Sequence, residues 1–121
     1  MQLRVARHTQ NIEKIKRFYV DLLGLEILGE FQGHDGYDGI FIGQPDKGWH
    51  LEFTVSDHLP QRVIDEDDLL IFYTSSEEDY KGILVRAEKL GMGKTVARNP
   101  YWNKKGIIFK DPDGYLSVIV K

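Results

Sequence analysis

Hydrophobic and polar residues alternate along several short runs of this chain, and between those runs the hydrophobic residues recur at helical spacing. The first run, Leu3–His8, alternates strictly, which is typical of a half-buried strand. Ile12 and Ile15 then begin an amphipathic helix that the side chain of Asn11 can cap. We expect this helix to end at Gly24, because glycine readily adopts the left-handed conformation that terminates helices.

Three further strands are predicted in the first half, separated by turns rich in glycine, proline and aspartate. They are Leu25–Phe31, Gly39–Ile42 and Trp49–Val55. Residues 1–55 therefore form a β-α-β-β-β module. The charged stretch 56–67 has no periodicity and is predicted to be a linker loop.

The second half repeats this order of elements over residues 68–121. Leu69–Thr74 is predicted to be a strand, and Ser75 with Glu78 fits the capping box of a helix that ends at Gly91. Three short strands complete the module, at Lys94–Ala97, Gly106–Phe109 and Leu116–Val120.

A weak internal repeat links the two halves. Leu23-Gly24 and Leu90-Gly91 are 67 residues apart, as are the tripeptides that begin at Gly39 and Gly106. Neither half is large enough to bury a stable core alone, so the sequence predicts one α+β domain built from two βαβββ modules.

Composition narrows the classes of function. The chain has 121 residues, a net charge of -3 and no cysteine. A mildly acidic surface argues against a nucleic-acid or membrane partner, and the lack of cysteine excludes disulfides and thiolate chemistry. No apolar run reaches the roughly 20 residues of a membrane span, and no signal peptide is recognisable, so we expect a cytoplasmic protein.

Three motifs together resemble a known superfamily. The stretch Phe18–Leu25 reads FYVDLLGL, Leu51–Thr54 reads LEFT, and Gly106–Tyr115 contains the tetrapeptide DPDG. In this order the motifs resemble the vicinal oxygen chelate superfamily, which includes glyoxalase I, bleomycin-resistance proteins and extradiol dioxygenases. The resemblance implies a curved mixed sheet with a concave cleft, a homodimer, and, in metal-dependent members, a divalent ion held by four strand positions.

Those four positions can be tested on this chain. By the resemblance they fall on Arg4, on Glu52, on Leu69 or Leu70, and on Val118 or Ile119. Arginine and aliphatic side chains offer no lone pair to a metal, so Glu52 alone could coordinate. We therefore predict that the usual metal site is absent and that the chain needs no cofactor.

The charged residues at two of these positions allow several interpretations. Arg4 and Glu52 could form a structural ion pair in place of the ion. Arg4 could instead hold a ligand carboxylate or phosphate, with Glu52 orienting it or taking a proton. A displaced divalent metal site at His8, His50 and Glu52 is a further alternative, which the charge of Arg4 would oppose. His34 and His58 are predicted to face solvent.

Aromatic residues could line either a cleft or the core. Phe41 and Phe109 lie on matching strands and could face each other across a pocket. Trp102 follows Asn99-Pro100 at a predicted turn, where a tryptophan favours a binding or dimer surface. Tyr73 and Tyr101 are further candidates for contact with a ligand.

The sequence favours a small-molecule-binding protein that acts by sequestration, similar in logic to the bleomycin-resistance proteins. An alternative is a lyase-like or dioxygenase-like enzyme with Glu52 as general base and Arg4 or His8 stabilising an oxyanion, and a third is a purely structural or partner-binding role. The predicted ligand-binding residues are Arg4, His8, Phe41, His50, Glu52, Tyr73, Tyr101, Trp102 and Phe109.

Overall fold

The structure, a computed structural model, describes all 121 residues and divides into two compact units, Met1–Arg62 and Val63–Lys121. Each unit contains one mixed sheet, with four strands in the first and three in the second. The predicted α+β class is confirmed, and the hydrogen bonding divides the predicted sheet into two. No helix combines the length and the apolar character needed to cross a membrane.

The first unit has the predicted β-α-β-β-β order. Its sheet has the strand order β1-β4-β3-β2, with β1 parallel to β4 and the other pairs antiparallel. As predicted, the Oδ1 of Asn11 accepts a hydrogen bond from the backbone of Lys14, and Gly24 has a φ of 79°. The elements are β1 (Leu3–His8), α1 (Ile12–Lys16) continued by π-helical turns (Arg17–Leu22), β2 (Glu26–His34), β3 (Tyr37–Gly43) and β4 (Trp49–Val55).

Strand β4 separates the core of this unit from its polar face. Leu51 and Phe53 are buried, and the ring of Tyr19 from the π-helical turns lies 4.9 Å from that of Phe53. His50 and Glu52 alternate with them and point to the other side of the sheet. Because side chains alternate along β4, its apolar residues pack into the core on one face and its polar residues lie on the other face.

The second unit has fewer strands than predicted. In its sheet, β5 is parallel to β7 and β6 is antiparallel to β7. Helix α2 is capped by Ser76, whose Oγ accepts from the backbone of Asp79, so the predicted capping box at Ser75 is wrong by one residue. The elements are β5 (Leu69–Tyr73), α2 (Glu77–Leu90), α3 (Pro100–Lys105), β6 (Gly106–Lys110) and β7 (Leu116–Val120).

The predicted strand Lys94–Ala97 is wrong, because Thr95 alone pairs with β6, through Ile108. The side-chain amide of Asn103 instead bonds both backbone groups of Ala97, at 2.8 Å each. Because the Asn103 side chain satisfies both backbone groups of Ala97, these groups need no hydrogen bonds from a neighbouring strand.

The DPDG turn between β6 and β7 is organised by a buried carboxylate. Oδ1 of Asp111 accepts hydrogen bonds from the backbone of Asp113 and of Tyr115, both at 2.9 Å. Gly114 completes the turn with a φ of 97°, a conformation that favours glycine. This motif, which carried part of the family resemblance, therefore has a structural role in the hairpin.

Ser117 on β7 is fully buried, and its Oγ has no hydrogen-bond partner. A buried hydroxyl without a partner keeps its desolvation cost, so Ser117→Ala should raise the free energy of unfolding by about 1 kcal/mol. Urea denaturation of the two proteins measures this difference. A variant clearly less stable than the parent would show that the hydroxyl makes a stabilising interaction.

Candidate functional site

Four side chains meet on the polar face of the first unit's sheet. Arg4 on β1 pairs with His50 on β4, and Phe41 on β3 pairs with Glu52 on β4. Because successive side chains on a strand point to opposite faces, all four lie opposite the buried Phe53. We call these residues, Arg4, Phe41, His50 and Glu52, the Arg4 patch.

The guanidinium of Arg4 is held on three sides. Its Nε donates a hydrogen bond of 2.8 Å to the Nε2 of His50, and its Nη1 lies 3.7 Å from the Oε1 of Glu52. Its central carbon lies 4.8 Å from the centre of the Phe41 ring. These contacts fix the plane of the guanidinium, whereas 51% of the Arg4 side chain stays exposed.

The hydrogen bond from Arg4 determines the protonation state of His50. A nitrogen that accepts a hydrogen bond carries no proton, so His50 is neutral with its proton on Nδ1. The ring of His50 also contacts Phe41 edge-on, at 5.7 Å between ring centres. His50 therefore acts as a neutral support for Arg4.

Two glycines let aromatic rings lie against this face. Gly29 pairs with Phe41, and Gly39 pairs with Phe31. A Cβ added at Gly29 would lie 3.2 Å from the Phe41 ring, and one added at Gly39 would overlap the Phe31 ring. Phe31 was missed by the sequence reasoning, because the pairing of a glycine with an aromatic residue on the next strand depends on the register between the strands.

The displaced metal site at His8, His50 and Glu52 is wrong. His8 pairs with Thr54, four ladder positions beyond the pair formed by Arg4 and His50. At roughly 3.3 Å per residue, His8 is displaced by about 13 Å along the sheet from His50, too far for the two rings to share one ion. No three His, Cys, Asp or Glu side chains in the chain are grouped so as to hold a metal ion.

The second unit repeats the strand ladder with apolar residues. Leu69 pairs with Leu116 as Arg4 pairs with His50, and Ile108 pairs with Val118 as Phe41 pairs with Glu52. Leucine and valine side chains have no lone pair for a metal. The donor set therefore does not fit the divalent ion of the metal-dependent superfamily members.

The predicted aromatic residues of the second unit lie in different environments. Trp102 is on helix α3, where a turn was predicted, and packs against the buried cluster that contains Val118. Tyr73 and Tyr101 are exposed. Phe109 pairs with Ser117 on the opposite face and is 1% exposed, so its predicted contact with a ligand is wrong.

A second polar group, which we call the His8 cluster, lies at the other end of the first unit's polar face. It comprises His8, Ser56, Asp57 and His58. His58 is exposed as predicted, yet its ring contacts that of His8. Sequence reasoning missed this contact, because a loop residue has no periodicity that reports its neighbours.

Two family models together match most of the chain. Residues 3–54 match the YycE-like N-terminal domain, and residues 67–121 match the YycE-like C-terminal domain. The uncharacterized protein YycE of Bacillus subtilis strain 168 is 36% identical over 120 residues, which cover 98% of this chain and 86% of that protein.

Solved structures share the fold. A crystal structure of a YycE protein of unknown function from Bacillus subtilis has a TM-score of 0.86 at 37% identity, over 98% of this chain and 88% of that one. A glyoxylase/bleomycin resistance protein/dioxygenase domain from Frankia sp. EAN1pec has a TM-score of 0.70 at 21% identity, over 97% and 93% of the respective chains. The chain therefore belongs to the YycE-like family, and its fold is that of the vicinal oxygen chelate superfamily, as the sequence motifs predicted.

Proposed function

We propose that this protein binds a small anionic molecule with a flat apolar part at the Arg4 patch, without a metal ion at the superfamily's ligand positions. The observation that carries the proposal is the fixed and half-exposed guanidinium of Arg4, supported by His50 and Glu52 and lying over the ring of Phe41. A positioned guanidinium can donate two parallel hydrogen bonds to a carboxylate or phosphate.

Each neighbour of Arg4 has a separate role in this proposal. His50 engages the Nε, so a ligand would be bound through the Nη groups, of which Nη1 also lies near Glu52. Glu52 neutralises part of the charge, which weakens attraction to anions that lack the right geometry. The rings of Phe41 and Phe31, 5.7 Å apart, offer apolar surface to the remainder of the ligand.

Arg4→Gln should weaken binding of benzoate at least about tenfold, because it removes a charge-assisted hydrogen-bonding partner. Isothermal titration with benzoate, and with the uncharged benzamide as matched probe, measures this effect. We expect benzoate to bind the parent protein more tightly than benzamide does.

Two variants sharpen this test. Arg98→Gln makes the same change of charge in the second unit and should leave benzoate binding unaltered, since Arg98 contacts the acidic side chains at Asp65, Glu66 and Asp67 instead. Arg4→Lys keeps the charge but loses the planar fork, so it should bind less tightly than the parent. Equal binding of benzoate by the parent and by Arg4→Gln would overturn the proposal.

The sequestration hypothesis and the hypothesis that Glu52 is a catalytic base predict different effects of the Glu52→Gln substitution. Under sequestration, the protein binds its ligand without turnover, and this nearly isosteric variant still binds. If Glu52 is instead a general base, the parent converts its substrate, and Glu52→Gln loses turnover while binding survives.

The family relationship supports a small-molecule ligand. Glyoxalase activity and fosfomycin resistance are roles suggested for the Bacillus subtilis YycE protein, whose function is unknown. We also infer a homodimer, as the superfamily resemblance implies, in the cytoplasm, the location expected from the sequence. Light scattering of the purified protein should then give about twice the mass of one chain.

A further inference from the structure

The His8 cluster brings two imidazole rings together. The ring centres of His8 and His58 are 5.5 Å apart, with 62° between the ring planes. His8 lies at the end of β1, and His58 lies on the segment that follows β4. Arg62 holds the same segment to β1 by donating a 2.7 Å hydrogen bond to the backbone carbonyl of His8.

The neighbour of His58 determines which of its nitrogens is bare. Nδ1 of His58 lies 3.0 Å from Oδ1 of Asp57, and an ionised carboxylate can only accept a hydrogen bond. Nδ1 of His58 therefore carries the proton, and Nε2 keeps a lone pair. A carboxylate that orients a histidine in this way is a common companion of metal-binding histidines.

The hydroxyl of Ser56 contacts the second imidazole ring of the cluster, that of His8. The Oγ of Ser56 donates to the backbone carbonyl of His58 and accepts from the backbone amide of His58. The same Oγ lies 3.0 Å from Nε2 of His8, and a hydroxyl oxygen can accept from that nitrogen when the ring carries its proton there. In that tautomer of His8, Nδ1 has the lone pair that a metal ion needs.

We propose that His8 and His58 together bind one divalent transition-metal ion, such as Cu²⁺, Ni²⁺ or Zn²⁺. Two imidazoles that share a tetrahedral ion through bonds of about 2.0 Å have ring centres about 5 Å apart, close to the separation in this structure. Neutral imidazole is a preferred ligand of all three ions. Water or an added ligand completes the coordination, because no three His, Cys, Asp or Glu side chains are arranged so as to hold one ion.

The charges around this site allow a cation. The carboxylate of Asp57 lies beside His58, and Arg4 is about 13 Å away along β1, by the spacing of strand residues. The guanidinium of Arg62 bonds the carbonyl of His8 and opposes the charge of the ion. The metal ion is the only ligand proposed for this site. The proposal does not depend on the anion-binding function proposed for the Arg4 patch.

Titration of the untagged, full-length protein with CuCl₂ tests the proposal. The parent should bind one ion per chain, and His58→Ala should lower the affinity at least about tenfold. His58 is on an exposed loop, so this variant should fold normally, and His8→Ala provides the second ligand deletion. His34→Ala is the matched control, because His34 is also exposed but lies on β2 and should leave the affinity within about twofold.

Each outcome decides the proposal. Loss of binding in His8→Ala and in His58→Ala, with His34→Ala unchanged and with two nitrogen ligands in the electron paramagnetic resonance spectrum of the copper form, supports the two-histidine site. No saturable binding by the parent, or binding that both substitutions leave intact, overturns it. Binding that is lost only in His34→Ala also overturns it, by locating the ion elsewhere.

Discussion

Phe53→Ala is expected to lower the free energy of unfolding by about 4 kcal/mol, the usual cost of truncating a buried phenylalanine. Phe53 is 1% exposed, and its ring packs against that of Tyr19. Removing the ring therefore leaves a cavity between the helix and the sheet. Urea denaturation followed by circular dichroism measures the change through the midpoint and slope of the transition.

The neighbouring Glu52→Gln provides the control on the same strand. Glu52 points to the polar face and makes a partly exposed ion pair, so this variant should change the free energy of unfolding by no more than about 1 kcal/mol. Similar losses for the two variants would contradict the division of β4 into a packing face and a polar face.

Gly106→Ala should destabilise the protein by about 3 kcal/mol, at the upper end of the range for overpacking. An added Cβ at Gly106 would overlap the backbone carbonyl oxygen of Ile119 on β7. The obstacle is backbone, so no rotation of a side chain can relieve it, and β6 would have to move away from β7. The thermal midpoint and the urea midpoint of the variant should both fall.

Gly93→Ala is the matched control for this effect. A Cβ added at Gly93 would meet no atom within 4 Å, and its φ lies outside the left-handed region that favours glycine. We expect this variant to be at least as stable as the parent, because alanine restricts the unfolded chain. A loss of stability equal to that of Gly106→Ala would show that the clash is not the cause.

Local pattern was sufficient to predict the strands that lie between clear turn residues. The bounds of Leu3–His8, Trp49–Val55 and Leu116–Val120 agree with the structure. Each is a run of strand-forming residues ended by glycine, proline or polar residues. The helix ends at Gly24 and Gly91 were also predicted, because both require a left-handed backbone.

The sequence did not predict helix α3 or the loss of the strand Lys94–Ala97. Pro100–Lys105 spans six residues, which is too short for a helical period to be seen, although Asn99 followed by proline is a usual helix start. The hydrogen bonds from Asn103 to Ala97 are a tertiary contact, so no local pattern reports them.

Prediction of the candidate site was limited in the same way. Strand periodicity places His50 and Glu52 on one face, and the structure brings Arg4 beside both. Periodicity does not give the register between strands, and that register separates His8 on β1 from His50 on β4 by four ladder positions. The hydrogen bond that supports Arg4 could be found only once β1 was paired with β4.

The apolar ladder of the second unit has an evolutionary consequence. When a gene segment is duplicated, one copy can keep the recognition chemistry while the other accumulates hydrophobic substitutions that improve packing. Leu69, Leu116 and Val118 occupy the ladder positions that hold Arg4, His50 and Glu52 in the first unit, and Trp102 packs against their cluster. Under the ligand site proposed for the Arg4 patch, selection for a new ligand would act on the first 62 residues, and selection on these ladder positions of the second unit would act on packing.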